Sequence, residues 1–180
     1  MTQPELRIGG PDDAVLVGQM LYDFNAEFDQ TEPPAEQMGE LAGPQLSSGE
    51  VAVVFGPGDP PDGFAQLRFR LSLYEPGPDA CLEELWVRPH ARGTGLGRAL
   101  LEAAMELARS RGATRIDLNT SVDDEVARAL YVKCGFTNQE SPRTGRRCST
   151  TSATSEPALR RPQRKASAAA CTVATYAGQS

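Results

Sequence analysis

A chain of 180 residues is long enough for one domain of ordinary size, because a core of this scale buries about two thirds of the surface of the unfolded chain. Four widely spaced cysteines and a lone histidine argue against a metal site and against a disulfide framework. Since no apolar run reaches the roughly 18 residues of a membrane span and no signal-peptide pattern opens the chain, we expect a cytoplasmic protein with no membrane partner.

The net charge of −6 is distributed unevenly. Residues 1–136 carry 11 Lys or Arg against 22 Asp or Glu, whereas residues 137–180 carry 7 against 2. An acidic first part argues against nucleic acid as a partner, because phosphate binding needs a basic surface. The second part is rich in small polar residues, Arg and Pro, with no hydrophobic period. The sequence therefore predicts a folded domain over 1–136 and a disordered basic tail over 137–180.

Apolar periodicity and turn residues predict the elements of the folded domain. In chain order they are a short strand, a helix and three strands of a meander, at residues 6–8, 15–28, 51–55, 64–73 and 82–87. A helix, a strand and a last helix follow, at residues 97–111, 114–120 and 126–131. Gly112 is expected to end the first of these helices, and Asp123 or Asp124 to cap the second. The order β-α-β-β-β-α-β-α predicts an α/β or α+β fold.

A glycine-rich segment, Arg92-Gly-Thr-Gly-Leu-Gly97, lies between the third meander strand and the long helix. Backbone N–H groups at a helix N-terminus have no intrahelical partner and lie at the positive end of the helix dipole, so they bind anions. Arg92 and Arg98 could add charge. The spacing lacks the Gly-Lys-Ser/Thr of a P-loop and the G-x-G-x-x-G of a dinucleotide site. It predicts a pyrophosphate site, with a purely structural glycine turn as the alternative.

The stretch Val87-Arg-Pro-His-Ala-Arg-Gly-Thr-Gly-Leu-Gly97 resembles the V-x-P and R-x-x-G-x-G patterns of the GNAT superfamily of N-acetyltransferases. Residues 130–136, Leu-Tyr-Val-Lys-Cys-Gly-Phe, are similar to the L-Y-x-x-x-G-F stretch of the same family. The resemblance implies a mixed, mainly antiparallel sheet flanked by helices, and acetyl-coenzyme A as co-substrate. The residues it implies for the cofactor are Leu85, Val87, Arg92, Gly93, Thr94, Gly95, Leu96, Gly97, Arg98 and Asp124. At Asp124, where many relatives have asparagine, a helix N-cap is the competing role.

The resemblance also implies two catalytic residues. An amine must lose a proton to attack a thioester, and a carboxylate on the fourth strand can accept it, directly or through water. We favour Glu84, which shares a face with Trp86 by strand alternation, over Glu83, which is expected on the opposite face with Leu85 and Val87. Tyr131 corresponds to the tyrosine that protonates the departing thiolate in the family.

Family members normally have two more strands after the Gly-Phe pair, and residues 137–180 contain no candidate for them. The sequence therefore predicts a sheet without the last two strands, and a frameshift in the gene or its sequencing is one hypothesis for this difference. The predicted activity is acetyl transfer to a primary amine of a small molecule or peptide. A non-catalytic acyl-coenzyme A binder is the alternative, and the acceptor and a homodimeric state stay open.

Overall fold

The structure is a computed structural model that describes residues 5–73 and 76–137, together with the backbone of residues 171–177. Within these residues the helices are α1 (Ala14–Ala26), α2 (Ala35–Ser48), α3 (Leu96–Ser110) and α4 (Glu125–Lys133). The strands are β1 (Arg7–Ile8), β2 (Val51–Phe55), β3 (Gly63–Leu71), β4 (Pro78–Val87), β5 (Arg115–Ser121) and β6 (Cys171–Ala177).

The strands form one sheet in the order β1-β2-β3-β4-β5-β6. Every neighbouring pair is antiparallel except β4 and β5, which are parallel and joined through α3. A parallel pair needs such a crossover, since a short turn returns the chain in the opposite direction. The predicted mixed, mainly antiparallel sheet with flanking helices is confirmed.

The two faces of the sheet carry separate hydrophobic cores. The first core lies under α3, whose apolar stripe packs on side chains such as Ala65, Leu82 and Leu118. In the second, Val17 and Met20 of α1 and Leu46 of α2 pack on the other face. This face contributes Val51, Val53, Phe55, Phe64 and Trp86. The sheet is therefore a partition between α3 on one side and the α1–α2 pair on the other.

Helix α2 was missed by the sequence prediction. Its segment contains Gly39 and Gly43 and has Pro44 inside the helix, all unfavourable for an isolated helix. Met38, Ala42 and Leu46 nevertheless form one buried stripe, at helical spacing, against α1. Tertiary packing outweighs local propensity here, which a single-sequence pattern does not capture.

Strand β6 corrects the predicted end of the chain. Residues 171–177 were expected in a disordered tail with no strand after the Gly-Phe pair, but they pair antiparallel with β5 from Arg115↔Ala177 to Ser121↔Cys171. Their sequence, Cys-Thr-Val-Ala-Thr-Tyr-Ala, has the β-branched and aromatic residues favoured in strands. The rest of the predicted tail, residues 138–170 and 178–180, lies outside the described residues.

Candidate active site

The site is built around a gap between the two parallel strands. The β4–β5 ladder runs from Asp79↔Arg115 only to Leu82↔Leu118, although β4 continues to Val87 and β5 to Ser121. In the described structure, residues 84–87 thus have a strand partner, β3, on one side alone. Leu85 and Val87, two of the residues that the resemblance implies for the cofactor, lie in this stretch.

The glycine-rich loop follows this end of β4. Gly93 and Gly95 have φ angles of 77° and 91°, in the left-handed region that glycine adopts most readily. A methyl group at either position would meet no atom within 4 Å, so the loop is open on that side. Gly95 is the N-cap of α3 and no side chain caps it. Among the described residues, the backbone N–H groups of residues 93–98 have no hydrogen-bond partner.

Three elements converge at Gly97, in the first turn of α3. A Cβ atom at this position would lie 3.6 Å from Val87 Cγ2 and 3.9 Å from Leu130 Cδ2. The end of β4, the start of α3 and the middle of α4 are therefore in contact range. Tyr131 follows Leu130, so the structure brings the two motifs of the sequence to one place.

Thr94 and Arg98 both have partners within the protein. The Thr94 hydroxyl donates to the Ala91 carbonyl oxygen at 2.7 Å. Arg98 Nε donates to Glu102 Oε1 at 2.8 Å, one helical turn further on. Thr94 thus closes the loop locally, and the Arg98 guanidinium is paired along the outer face of α3.

Glu84 is almost fully buried, with 8% of its surface exposed. It lies opposite Gln66 on β3, and Trp86 lies opposite Phe64, so Glu84 and Trp86 point to the same face, as predicted. Trp86 belongs to the core formed by α1 and α2. The Glu84 carboxyl group is therefore on the α1–α2 side of the sheet, next to the gap.

A β-bulge overturns the expectation for Glu83. The register shifts between Gln66 and Leu67, so that Glu83 is an extra residue in β4. Its carboxylate accepts from Gln66 Nε2 at 2.8 Å and from Arg68 Nε at 2.6 Å, both on the face of Phe64. Glu83 and Glu84 therefore point to one face, because an extra residue cancels the alternation on which the prediction depended. No sequence pattern marked this bulge.

Tyr131 is buried on the other side of the gap, with 8% exposed and its ring edge-on to Phe136 at 5.9 Å. Burial raises the pKa of its phenol to about 12, with smaller contributions from the negative charges of Asp124 and Glu84. The Tyr131 hydroxyl is therefore protonated at neutral pH and lies within electrostatic reach of Glu84.

Asp124 is the N-cap of α4. Its Oδ1 accepts a hydrogen bond from the Ala127 N–H at 2.9 Å, and this contact satisfies one of the free donors of the first turn. The predicted capping role is confirmed for Asp124 rather than Asp123. The contact of Asp124 with the cofactor stays a prediction.

Two carboxylates at the C-terminal end of α1, those of Asp23 and of the C-cap Glu27, are paired with arginines. Asp23 accepts from Arg88 Nη2 at 2.9 Å, and Glu27 accepts from Arg92 Nη2 at 2.8 and 2.6 Å. Trp86 Nε1 also donates to Glu27, at 3.0 Å. Nothing in the sequence indicated that Arg92 and Glu27, 65 residues apart, are in contact.

The described residues contain neither a candidate metal site nor a candidate membrane-spanning helix. No cluster of three or more His, Cys, Asp or Glu in residues 5–73 and 76–137 has the arrangement of a metal site. The helices of the same residues are too short or too polar to cross a bilayer.

The comparisons with known proteins agree with this geometry. The family model of the acetyltransferase (GNAT) family matches residues 16–136. An aminoglycoside N(6′)-acetyltransferase type 1 from Stenotrophomonas maltophilia is 30% identical over 140 residues, which cover 76% of this chain and 88% of that protein. A mycothiol acetyltransferase from Beutenbergia cavernae is 42% identical over 69 residues, but they cover 37% of this chain and only 23% of that protein.

Solved structures show the same fold. A crystal structure assigned as an acetyltransferase from Arthrobacter sp. FB24 has a TM-score of 0.70 and 38% identity, and covers 91% of this chain and 96% of that one. An aminoglycoside acetyltransferase from an uncultured soil metagenomic sample, in complex with sisomicin, has a TM-score of 0.66 at 16% identity, covering 87% and 97%. The chain belongs to the GNAT family of acetyltransferases, and the enzyme class is N-acetyltransferase.

Proposed function

We propose that this protein transfers an acetyl group from acetyl-coenzyme A to a primary amine of a small molecule or peptide. The observation that carries the proposal is the convergence of three features at the β4–β5 gap: the uncapped start of α3, the unpaired end of β4, and Tyr131. In this proposal, the N–H groups of residues 93–98 bind the pyrophosphate, each such charge-assisted bond being worth roughly 1.5–3 kcal/mol. The main chain of Leu85 and Val87 binds the pantetheine arm as an added strand would.

Glu84 is proposed as the general base. An alkylamine with a pKa near 10.4 is neutral in only about one of 2,500 molecules at pH 7, so a proton must be removed for attack. The Glu84 carboxylate, buried on the α1–α2 face, accepts this proton, directly or through water, while the N–C bond to the acetyl group forms. Glu83 is the weaker candidate, since Arg68 and Gln66 already hydrogen-bond to both of its oxygens.

Tyr131 is proposed as the acid for the leaving group. As the thioester C–S bond breaks, its hydroxyl donates to the departing sulfur, and the proton delivered to the thiolate balances the one that Glu84 accepts. The raised pKa of about 12 keeps this hydroxyl protonated, and therefore able to donate, throughout the physiological pH range.

The acceptor is proposed to be a cationic amine. Residues 1–136 carry 22 Asp or Glu against 11 Lys or Arg, so the folded part of the chain has a negative net charge. A negative potential attracts ammonium groups. Aminoglycosides come first among the candidates, because a relative aligned over 88% of its length is named as an aminoglycoside acetyltransferase.

The test is release of coenzyme A thiol from acetyl-coenzyme A in the presence of aminoglycosides, polyamines, amino acids and peptides. With an active acceptor, Glu84→Gln should lower kcat about 100-fold at pH 7, the lower range for loss of a general base, and change the Kd for coenzyme A less than twofold. Glu83→Gln, the matched control on the same face, should retain most of kcat. If Glu83→Gln shows the larger loss, the assignment of the base is wrong.

Two results would change the functional proposal itself. Saturable binding of acetyl-coenzyme A with no turnover on any acceptor class would support the alternative of a non-catalytic acyl-coenzyme A binder. Absence of acetyl-coenzyme A binding would contradict both functions.

A further inference from the structure

Two parallel ion pairs join the last turns of α1 to the chain segment that follows β4. Asp23 pairs with Arg88, and Glu27 pairs with Arg92. The pairs are four residues apart on both segments, so the carboxylates of Asp23, in the last turn of α1, and of Glu27, its C-cap residue, lie about one helical turn apart. Only the second pair involves the glycine-rich loop, and Arg92 is its first residue.

Glu27 has a further contact that Asp23 does not have. Besides Arg92, it accepts from the indole N–H of Trp86 at 3.0 Å. Trp86 is buried on the same face as Glu84, where it packs against Phe24 and Phe64 at ring distances of 6.5 and 6.1 Å. Glu27 therefore connects the glycine-rich loop, through Arg92, to the face of the sheet that carries the proposed base.

The contacts of Arg92 leave part of its guanidinium available to a ligand. Nε donates to the Val87 carbonyl oxygen at 2.9 Å and Nη2 donates to Glu27, whereas Nη1 has no hydrogen bond to the described residues. The arginine side chain is 50% exposed and that of Glu27 is 27% exposed. Ion pairs at this exposure contribute little to stability, so a stronger anion can replace one partner.

A diphosphate is such an anion. It carries more charge than one carboxylate and can accept two parallel hydrogen bonds from an arginine. Glu27 also follows the last residue of α1, where the negative end of the helix dipole disfavours a carboxylate. The negative charge of Glu27 is therefore compensated by Arg92. Arg92 itself is expected to bind the diphosphate more strongly than it binds Glu27.

We propose that Glu27 competes with the diphosphate of coenzyme A for Arg92, so that cofactor binding releases Glu27 and changes the surroundings of Trp86. The inference rests on the proposed function, since it requires the loop to bind coenzyme A. Glu27 is a positioning residue here: it acts through Arg92 and Trp86. By linkage, whatever stabilises the Glu27–Arg92 pair weakens cofactor binding by the same factor.

The test measures the Kd of coenzyme A by calorimetry for the full chain and for Glu27→Gln. Without the competing carboxylate, Arg92 can bind the diphosphate without first breaking an ion pair. The variant should therefore bind coenzyme A about three- to tenfold more tightly at low salt. Asp23→Asn is the matched control, because it removes the neighbouring α1 ion pair without touching Arg92. It should leave the Kd within about twofold. A gain in affinity is not expected from a variant that is merely less well folded.

A double variant separates competition from simple removal of negative charge. If Glu27 acted only by repelling the phosphates, Glu27→Gln would also tighten binding in an Arg92→Ala background. Competition for Arg92 predicts that the gain disappears there. A gain that persists in the Arg92→Ala background would overturn the proposal.

The fluorescence of Trp86, the only tryptophan of the chain, gives a second readout. Saturating coenzyme A should shift its emission in the wild-type chain and in Asp23→Asn, whereas Glu27→Ala, which has no acceptor for the indole N–H, should start at the shifted position and change little. Equal or weaker coenzyme A binding by Glu27→Gln, together with a wild-type emission shift in Glu27→Ala, contradicts the inference and leaves the proposed function standing. If the wild-type chain binds no coenzyme A, it is the proposed function that fails.

Discussion

Neighbouring residues of β4 show how one backbone irregularity decides the chemistry of a side chain. With regular alternation, Glu83 and Glu84 would lie on opposite faces. The bulge places both on the α1–α2 face, and there Arg68 neutralises Glu83 while Glu84 remains beside the gap. The difference between a structural ion pair and a candidate base thus depends on the register of a strand rather than on residue type.

At Tyr131, the pKa of about 12 predicts a specific response to alkaline pH. The phenol of the unfolded chain ionises near pH 10, while the folded state resists ionisation up to about pH 12. Because the folded pKa is the higher one, the folded state is fully stable below about pH 10 and loses stability as pH rises from there towards 12. The difference between a pKa near 10 in the unfolded chain and about 12 in the folded chain corresponds to a loss of folding free energy on the order of 2–3 kcal/mol.

The measurement is chemical denaturation of the wild-type chain and of Tyr131→Phe at pH 8.5 and pH 11.5. The wild-type chain should lose more stability between these pH values than Tyr131→Phe, and the matched control Tyr22→Phe should follow the wild type. Equal losses in the wild type and Tyr131→Phe would show that Tyr131 ionises as freely in the folded state as in the unfolded chain.

At the scale of the elements, α1 and α2 pack closely because α1 has a glycine, Gly18, where the two helices cross. A Cβ atom at Gly18 would overlap the Ala35 carbonyl oxygen and would lie 2.5 Å from the Gly39 backbone nitrogen. Both neighbours are main-chain atoms of α2, which no rotamer change can move away. The short interhelical distance therefore requires glycine at this crossing, and this accounts for glycines inside two helices that otherwise lose stability from them.

Gly18→Ala should lower the free energy of unfolding by about 2–3 kcal/mol, since the two helices must separate to accommodate the methyl group. Gly10→Ala is the comparison, because a Cβ atom there meets nothing within 4 Å. It should change stability by less than about 1 kcal/mol. Urea denaturation monitored by Trp86, which packs under α1, measures both variants, and similar values for the two would contradict the close approach.

For the whole molecule, the sheet depends on a strand from the far end of the sequence. Strand β6 pairs with β5 along seven residues, although it lies 50 residues after the end of β5 in numbering. It covers the edge of β5 opposite to β4. An uncovered edge of this kind exposes unpaired backbone groups and promotes association between chains.

Ending the chain at Ala170 should therefore lower Tm by about 5 °C or more and increase aggregation, since the seven-residue ladder is lost. Ending it at Ala177 retains β6 and should leave both properties close to those of the full chain. Scanning calorimetry and light scattering on the three chains make the comparison. Equal Tm values for all three would show that β6 contributes nothing to stability.

The predictions that succeeded depend on neighbours in sequence. The helix α3 is marked by apolar spacing and by Gly112 after its end, the meander by turn residues, and the backbone of the loop before α3 by its glycines. Helix α2 and strand β6 were missed because their stability comes from distant partners, α1 and β5. Local propensity is a weak guide where burial against another element dominates.

The amino-acid sequence alone was sufficient for the family and the class of fold, because these depend on motifs and patterns whose residues are close together along the chain. Only the folded chain decided which carboxylate is neutralised, where Glu27 and Arg92 meet, and what covers β5. Each of these is a contact between residues far apart in sequence, or depends on a shift of strand register. Such contacts are set by the packing of all elements together, to which no local pattern corresponds.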